Sequence, residues 1–486
     1  MRTELTIENL APGGEGVGHA GARTVFVPWT APGDRVVADV QDGDGTAHGS
    51  LVSLQAPGAV RVQAPCVHFG PAGVPGIEGS PGEPASRPRH EVPGISARAQ
   101  PRPDEAASER AGGPGGPASR PPRYDDGCGG CEWLHVDYAT QLAAKERTVG
   151  EALRRIARVE PGAYEARPIV GSPAPLRYRA RAKFHHDRAS GRLVYFRRRS
   201  HAPVRLRECH LLDERLDALR EAVGPALGRA GLAPREVALE WSSHEGRGAA
   251  WLLVPAITPA VRARAEALLG DVPALAGAVL QPEGGPPVLL GNPVLRHARV
   301  PGDAASGLQR SRPDVFQQAN RSANALLVRA ALDLLAPEGA DVLELHCGAG
   351  NFTGPLAARA RSVAAVEVQG PALELARADL AGAGNVRFFA GDALKLALAF
   401  AREAGPSARR FGAVLLDPPR EGAKGIGPAL RELGLPRTVY VSCDPATFAR
   451  DVRACVETGY RLEAVQPVDM FPQTHHVEAV ALLVPP

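Results

Sequence analysis

A chain of 486 residues is too long for one ordinary domain, and about two to four are expected. Its apolar fraction of 44% suits globular cores, and a net charge of +3 is too small to imply nucleic-acid binding by itself. The opening MRTELTIENLAPGGEG has no apolar signal-peptide core and no window reaches roughly 18 uninterrupted apolar residues, so neither secretion nor a membrane span is expected, and the expected location is cytoplasmic.

Residues 1–60 alternate short apolar runs with glycine turns (ELTIENL, TVFVPW, DRVVADV, GSLVSLQ), the spacing of a small β-barrel. Such barrels present loops to oligonucleotides or serve as structure alone. Residues 71–126 are rich in Pro, Gly, Ser and Arg and nearly lack large apolar side chains. Burial cannot offset their ordering entropy, and a flexible insertion is expected there. Between 127 and 300 helices and strands mix. YATQLAAKERTVGEALRRIA (138–157) sets Leu142, Val149, Leu153 and Ile156 near helical spacing. LRYRARAKFHH (176–186) alternates like a strand with Arg177, Arg179, Arg181 and Lys183 on one face, either solvated or in contact with phosphates. YFRRRSH follows as a candidate hairpin partner.

From about residue 311 the pattern becomes β-α. ADVLELHCGAGNF, SVAAVEV, NVRFFAGDA, FGAVLLDPPREGA, RTVYVSC and VEAVALLV supply six strands with helical stretches between most of them. A doubly wound α/β domain with a mostly parallel sheet is expected, and ligands bind such sheets at the carboxyl edge. Gly348-Ala349-Gly350 follows the first strand and lets a backbone approach a ligand closely. Glu367 closes the next strand, where a carboxylate suits the hydroxyls of a ribose, and Asp392 ends the third. The third glycine of a dinucleotide site is missing, which favours a nucleoside without pyrophosphate over a nicotinamide cofactor. Asp417 ends the fourth strand beside a rigid Pro-Pro loop, and Cys443 stands at a strand-to-helix corner in VYVSCDPATFARD. Gln318 in DVFQQAN carries an amide able to read a base edge, and Glu478 starts the last strand.

FQQAN, LELHCGAGNFT, LLDPPREGA, VYVSCDPATFARD and DMFPQTHHVE occur in the order seen in RNA uracil-C5 methyltransferases, which the chain resembles over nearly its whole length apart from 71–126. The resemblance implies three parts. These are a TRAM-like, OB-like barrel over 1–60, a mixed α+β RNA-binding region over 61–310, and a Rossmann-like class I methyltransferase domain over 311–486. It implies Cys443 as the nucleophile and Glu478 as the general base. Gln318, Glu367 and Asp417 match cofactor positions for S-adenosylmethionine, and Asp392 is placed with them. His346 stands where many members have an aromatic residue, and Asn351 is placed at the same site. The chemistry agrees. C5 of uridine is a poor nucleophile until a thiolate adds to C6, and a base must then remove the C5 proton. The target base must also leave its stack.

Cys128-Gly-Gly-Cys131 alone could bind zinc, act in redox chemistry or be incidental. The rRNA-modifying members of the family carry a C-x5-C-G-G-C run and a distant fourth cysteine that ligate a 4Fe-4S cluster. The resemblance therefore implies Cys66, Cys128, Cys131 and Cys209 as its ligands, with segment 71–126 inserted between the first two. Zn²⁺ would suit four thiolates as well. Cys347 and Cys455 are read as structural. RNA is the expected partner, 23S rRNA ahead of tRNA, and a monomer is expected. A non-catalytic RNA-binding factor and an iron–sulfur redox enzyme are the competing readings. Intact Cys443 and Glu478 argue against the first, and the lack of any flavin-like site against the second.

Overall fold

Strands β1 (Arg2–Leu10), β2 (Gly16–Ala20), β3 (Arg23–Val27), β4 (Arg35–Gln41) and β5 (Ala47–Ala56) close into a barrel in the order β1-β2-β3-β5-β4. Leu5, Ile7, Val25, Val27, Val36 and Ala38 fill it by period-two alternation, and closure leaves no edge to pair elsewhere. The computed structural model describes residues 1–41, 46–71, 74, 127–404, 411–434 and 436–485. Apart from Pro71 and Val74, the insertion expected over 71–126 lies outside the described residues.

Helix α1 (Tyr138–Ala152) starts at Asp137, whose carboxylate accepts the Thr140 N–H at 2.9 Å. It runs into a π-turn over Leu153–Ala157. The wider turn shifts the register, so Leu153 and Ala157 are buried while Ile156, expected on the apolar face, is 37% exposed. After the short β6 (Glu165–Ala166) come β7 (Arg181–Asp187), β8 (Arg192–Phe196), β9 (Pro203–Val204), α2 (Glu214–Arg229), β10 (Glu236–Ser242), β11 (Arg247–Val254), α3 (Pro259–Asp271), β12 (Leu275–Pro282) and β13 (Val288–Gly291). They form a seven-stranded sheet, β13-β12-β11-β10-β7-β8-β9, covered by Leu216, Leu219, Val223 and Leu227 of α2. A ribbon of β14 (Leu295–Val300) and β15 (Asp303–Ser311) follows.

The cationic strand face expected over 176–186 does not form. The strand begins only at Arg181, because Arg177 turns the chain with φ +58°. Each cation serves the protein itself. Arg177 pairs with Glu208, Arg179 lies over the rings of Tyr178 and Phe471, and Lys183 meets Glu236 at 2.7 Å. Arg181 donates to the carbonyls of Pro313 and Val315.

The remaining elements are α4 (Arg321–Leu335), β16 (Asp341–Leu345), α5 (Thr353–Ala357), β17 (Ser362–Glu367), α6 (Gly370–Asp379), β18 (Val386–Ala390), α7 (Ala393–Ala404), β19 (Ala413–Leu416), α8 (Ile426–Glu432), β20 (Arg437–Ser442), α9 (Pro445–Glu457), β21 (Arg461–Val468) and β22 (Glu478–Val484). Their sheet has the order β18-β17-β16-β19-β20-β22-β21-β6, parallel from β18 to β20. Helices cover both faces, so Leu343, Val366, Val414 and Val439 read as continuous apolar runs and are fully buried. β22 runs antiparallel to β20, and β6 joins the far edge beside β21. Among the described residues no helix is long and apolar enough to cross a membrane.

Candidate active site at the carboxyl edge of the parallel sheet

The strand order reverses between β16 and β19, and the crevice outside their carboxyl ends is where such sheets take ligands. The loop after β16 and Asp417 after β19 line that switch point. Cys443 follows β20. Because β22 is antiparallel, its first residue, Glu478, lies at the same edge, with Ser442 paired to Ala479. Topology thus brings together residues that are far apart in sequence.

On the β16–β17 side the turn is left-handed at alternate positions, His346, Gly348 and Gly350 (φ +63°, +54° and +82°). A β-carbon at Gly348 would meet nothing within 4 Å, so this glycine answers a conformational need rather than a steric one. Glu367 is buried and firmly held, accepting N–H bonds from Gly348 (2.9 Å), Val368 (2.8 Å) and Gln369 (2.8 Å), with acceptor capacity left on Oε2. Asp392 is exposed and caps α7 through the Lys395 N–H at 2.9 Å. Asn351 forms a reciprocal amide pair with Asn324 of α4 (2.8 and 2.9 Å), which would have to open for its side chain to reach a ligand. Burial lowers the His346 pKa, with Glu367 and Asp392 opposing.

Gln318 lies in the loop that Arg181 holds by its carbonyls. Gln317 spends its amide on the Arg310 carbonyl (2.9 Å), whereas the buried Oε1 of Gln318 has no partner among the described residues. An unpaired buried acceptor is costly and calls for a donor from outside. Phe316 beside it is 72% exposed.

At the other end Asp444 caps α9, accepting the N–H groups of Ala446 (3.0 Å) and Thr447 (2.8 Å), and so fixes Cys443 at the corner. Burial pushes the Cys443 thiol up to about 12, Glu478 and Asp417 add to this, and Arg420 opposes it. Glu478 is fully enclosed, and burial followed by the Asp417 charge pushes its carboxyl up to about 8 against Arg420. Asp417 keeps some surface open to the crevice, yet its low-dielectric surroundings push it up to about 7. Asp417 does not cap the next helix, whose first turn follows Gly425. A thiol and two carboxyls that titrate near neutrality can exchange protons with a substrate.

Three residues escaped the sequence reading. Glu344, inside β16, is fully buried with both oxygens unpaired among the described residues, and burial pushes it up to about 8. A carboxylate within an apolar strand was the available signal. Arg420 stands in the quoted DPPR stretch, and its carbonyl is held by the Thr447 hydroxyl at 3.0 Å. Arg299 reaches from β14 to the carbonyls of Gly350 (3.3 Å) and Asn351 (3.4 Å), and no motif marks it.

The four cysteines lie close enough to one another for their charges to interact. Cys66, Cys128 and Cys131 are buried and Cys209 is half-buried. The Cys128 N–H donates to the His68 carbonyl at 2.9 Å, and a β-carbon on Gly127 would come within 2.7 Å of the Gly70 carbonyl oxygen. The chain therefore leaves at residue 70 and returns at 127 to the same place. Burial raises all four thiols, and Cys66, Cys128 and Cys131 are raised further by neighbouring cysteines of the set. Among the described residues no three His, Cys, Asp or Glu side chains stand in metal-holding geometry.

Residues 303–485 match the family model described as tRNA (Uracil-5-)-methyltransferase. The 23S rRNA (uracil(1939)-C(5))-methyltransferase RlmD of Pseudomonas entomophila is 39% identical over 74% of this chain and 79% of its own length. The RlmD of Alkalilimnicola ehrlichii is 32% identical over 99% of this chain and 96% of its own. Among solved structures, the Pyrococcus abyssi tRNA (uracil-54, C5)-methyltransferase in complex with S-adenosyl-L-homocysteine shares the fold with a TM-score of 0.67, at 20% identity and full coverage of both chains.

Proposed function

The chain belongs to the family of RNA uracil-C5 methyltransferases, and on that premise we propose that it methylates C5 of a uridine in 23S rRNA through a covalent adduct between Cys443 and C6. The observation that carries this reading is the convergence of Cys443, Glu478 and Asp417 at one sheet edge beside a glycine turn. The rRNA substrate comes from the relatives' named activity, extended here to this chain.

The cofactor site is proposed to comprise Gln318, Glu367, Asp392 and Asp417, with His346 and Asn351 at the turn. The unpaired Gln318 Oε1 supports it, since an amino group would supply the missing donor. S-adenosylmethionine supplies an electrophilic methyl group when bound. Cys443 Sγ adds to C6, and Asp417, the more ionised carboxyl of the pair, accepts the thiol proton. The enolate so formed makes C5 nucleophilic. After methyl transfer Glu478, in its ionised form, takes the C5 proton, the C5=C6 bond re-forms and the Cys443 thiolate leaves. Arg420 opposes the local excess of negative charge.

Cys66, Cys128, Cys131 and Cys209 are proposed to hold a 4Fe-4S cluster. Four thiols suit iron and sulfide, and the mutual electrostatic loading of the buried thiols would be relieved if metal displaced their protons. Such a cluster supplies a staple between residues 66, 128–131 and 209.

The test is Glu478→Gln. Addition and methyl transfer proceed, but the amide cannot take the C5 proton, so methylated RNA stays bound to the protein as a shifted band on a denaturing gel. The band disappears when Cys443→Ala is added. Normal turnover by Glu478→Gln would move the base elsewhere, with Asp417 next in line. Mapping 5-methyluridine in rRNA and tRNA from a deletion strain separates the two substrates.

A further inference from the structure

The connection from β21 to β22, residues 469–477, ends directly at Glu478, and Val468 and Glu478 face each other in the ladder. Many of its polar groups bond to residues 132–145, while the carbonyls of Met470 and Pro472 accept from Asn320 (3.1 Å) and Tyr178 (3.0 Å). Asp469 is fully buried against Lys145 of α1 at 2.5 Å and accepts the Tyr138 hydroxyl at 2.8 Å. Lys145 also donates to the Phe471 carbonyl at 3.0 Å. Gln473 is the knot. Its N–H donates to Gln141 Oε1 (2.9 Å), its carbonyl accepts the N–H groups of Glu132 and Trp133 (both 3.0 Å), and its Oε1 accepts from Gln141 Nε2 (3.0 Å). Gln473 is buried with φ +69°, a conformation a non-glycine residue keeps only where its surroundings over-determine it. His475 completes the contact, its ring and its N–H each 3.4 Å from Glu132 Oε2.

We propose that Gln141 and Lys145, seconded by Glu132, are positioning residues for Glu478: they clamp the 469–477 connection so that the carboxyl meets the C5 proton. The clamp rests on the assignment of Glu478 as the base. It acts on one step. Among the described residues neither Cys443, at the end of β20, nor the glycine turn after β16 hydrogen-bonds to this connection, and Glu478 reaches Cys443 only through its charge, so thiol addition and methyl transfer do not depend on the clamp's hydrogen bonds. Release of the methylated base does.

The variants are Gln141→Leu, which keeps volume and removes the amide, Lys145→Met, and Glu132→Ala, whose side chain has the least to lose in folding. Each is tested with labelled RNA in a single turnover, scoring methyl incorporation and the covalent band over time, with Glu478→Gln on the same gel. In folded variants methyl incorporation should stay within about threefold of wild type while decay of the band slows by at least about tenfold. A merely structural role would lower both steps together, and that result, or unchanged decay, overturns the clamp. Trapping by Glu478→Gln alone counts against the clamp. Absence of trapping in Glu478→Gln counts against the base assignment beneath it.

Discussion

At the β16–β17 end of the sheet edge the polar side chains beyond the strands are already engaged, Glu344 within β16 being the exception: Glu367 accepts three backbone N–H groups, Asn351 is paired with Asn324, and Asp392 caps a helix. At the β19–β20–β22 end Asp417, Cys443 and Glu478 are pressed together, and burial leads the forces that hold their protons on. Groups that shape a cradle can be tied down in advance. Groups that trade protons must keep their lone pairs free and their pKa values near the working pH, which costs stability.

The sharpest way to break this comparison is to empty one end at a time. Cys443→Ala should lower methylation by about 10⁴-fold or more. Cofactor affinity, read by calorimetry, should stay within about twofold. Glu367→Ala should do the reverse, weakening cofactor binding about 10- to 100-fold while leaving the rate at saturation nearly intact. Equal losses in both measurements for both variants would dissolve the distinction.

A smaller effect tests the stability cost. The folded chain raises Glu478 from 4.5 to about 8 and Asp417 from 3.8 to about 7. Below the unfolded values, at about pH 3 and lower, both states are protonated and nothing is lost. As pH rises the unfolded chain ionises first, so stability falls through this window and levels off above the folded values. Glu478→Gln and Asp417→Asn should therefore be more stable than wild type at pH 8.5, by on the order of 2–4 kcal/mol each, with the gain closing at about pH 3. Melts across that range check it, and a pH-independent difference would refute it.

The smallest effect is expected from a region that neither end uses. Joining Pro71 to Asp126 should leave methylation unchanged, because residues 70 and 127 already touch. The loss of buried Val74 should cost about 1.5 kcal/mol, measurable by denaturant titration.

The parallel strands were legible because burial on both faces writes them as unbroken apolar runs, and the glycine turn because it needs positive φ. β21 was not, since Glu463, Gln466 and Pro467 interrupt its run. Nor was β6, two residues recruited from far upstream. The strand expected from Leu176 began at Arg181 because one left-handed residue outweighed the alternation. That Cys443, Glu478 and Asp417 end up at one sheet edge was legible from their corner positions and motifs. Glu344 was hidden inside its own strand, and the Gln141–Gln473 pairing leaves no local trace because its partners lie 332 residues apart.

That separation has a consequence for how the chain is made. Gln141, Lys145 and the β6 residues leave the ribosome long before the segment that receives them. At roughly 5–20 residues per second, Gln141 waits about 15–65 s for Gln473. Meanwhile α1 carries a lysine and a glutamine destined for full burial, with no carboxylate or amide yet made to meet them. The barrel and the seven-stranded sheet can close during that wait, but the eight-stranded sheet cannot gain its β6 edge or the loop that leads to Glu478 until the last residues emerge. A nascent chain truncated before residue 469 should therefore hold its methyltransferase half open, and no partial product can acquire a working site.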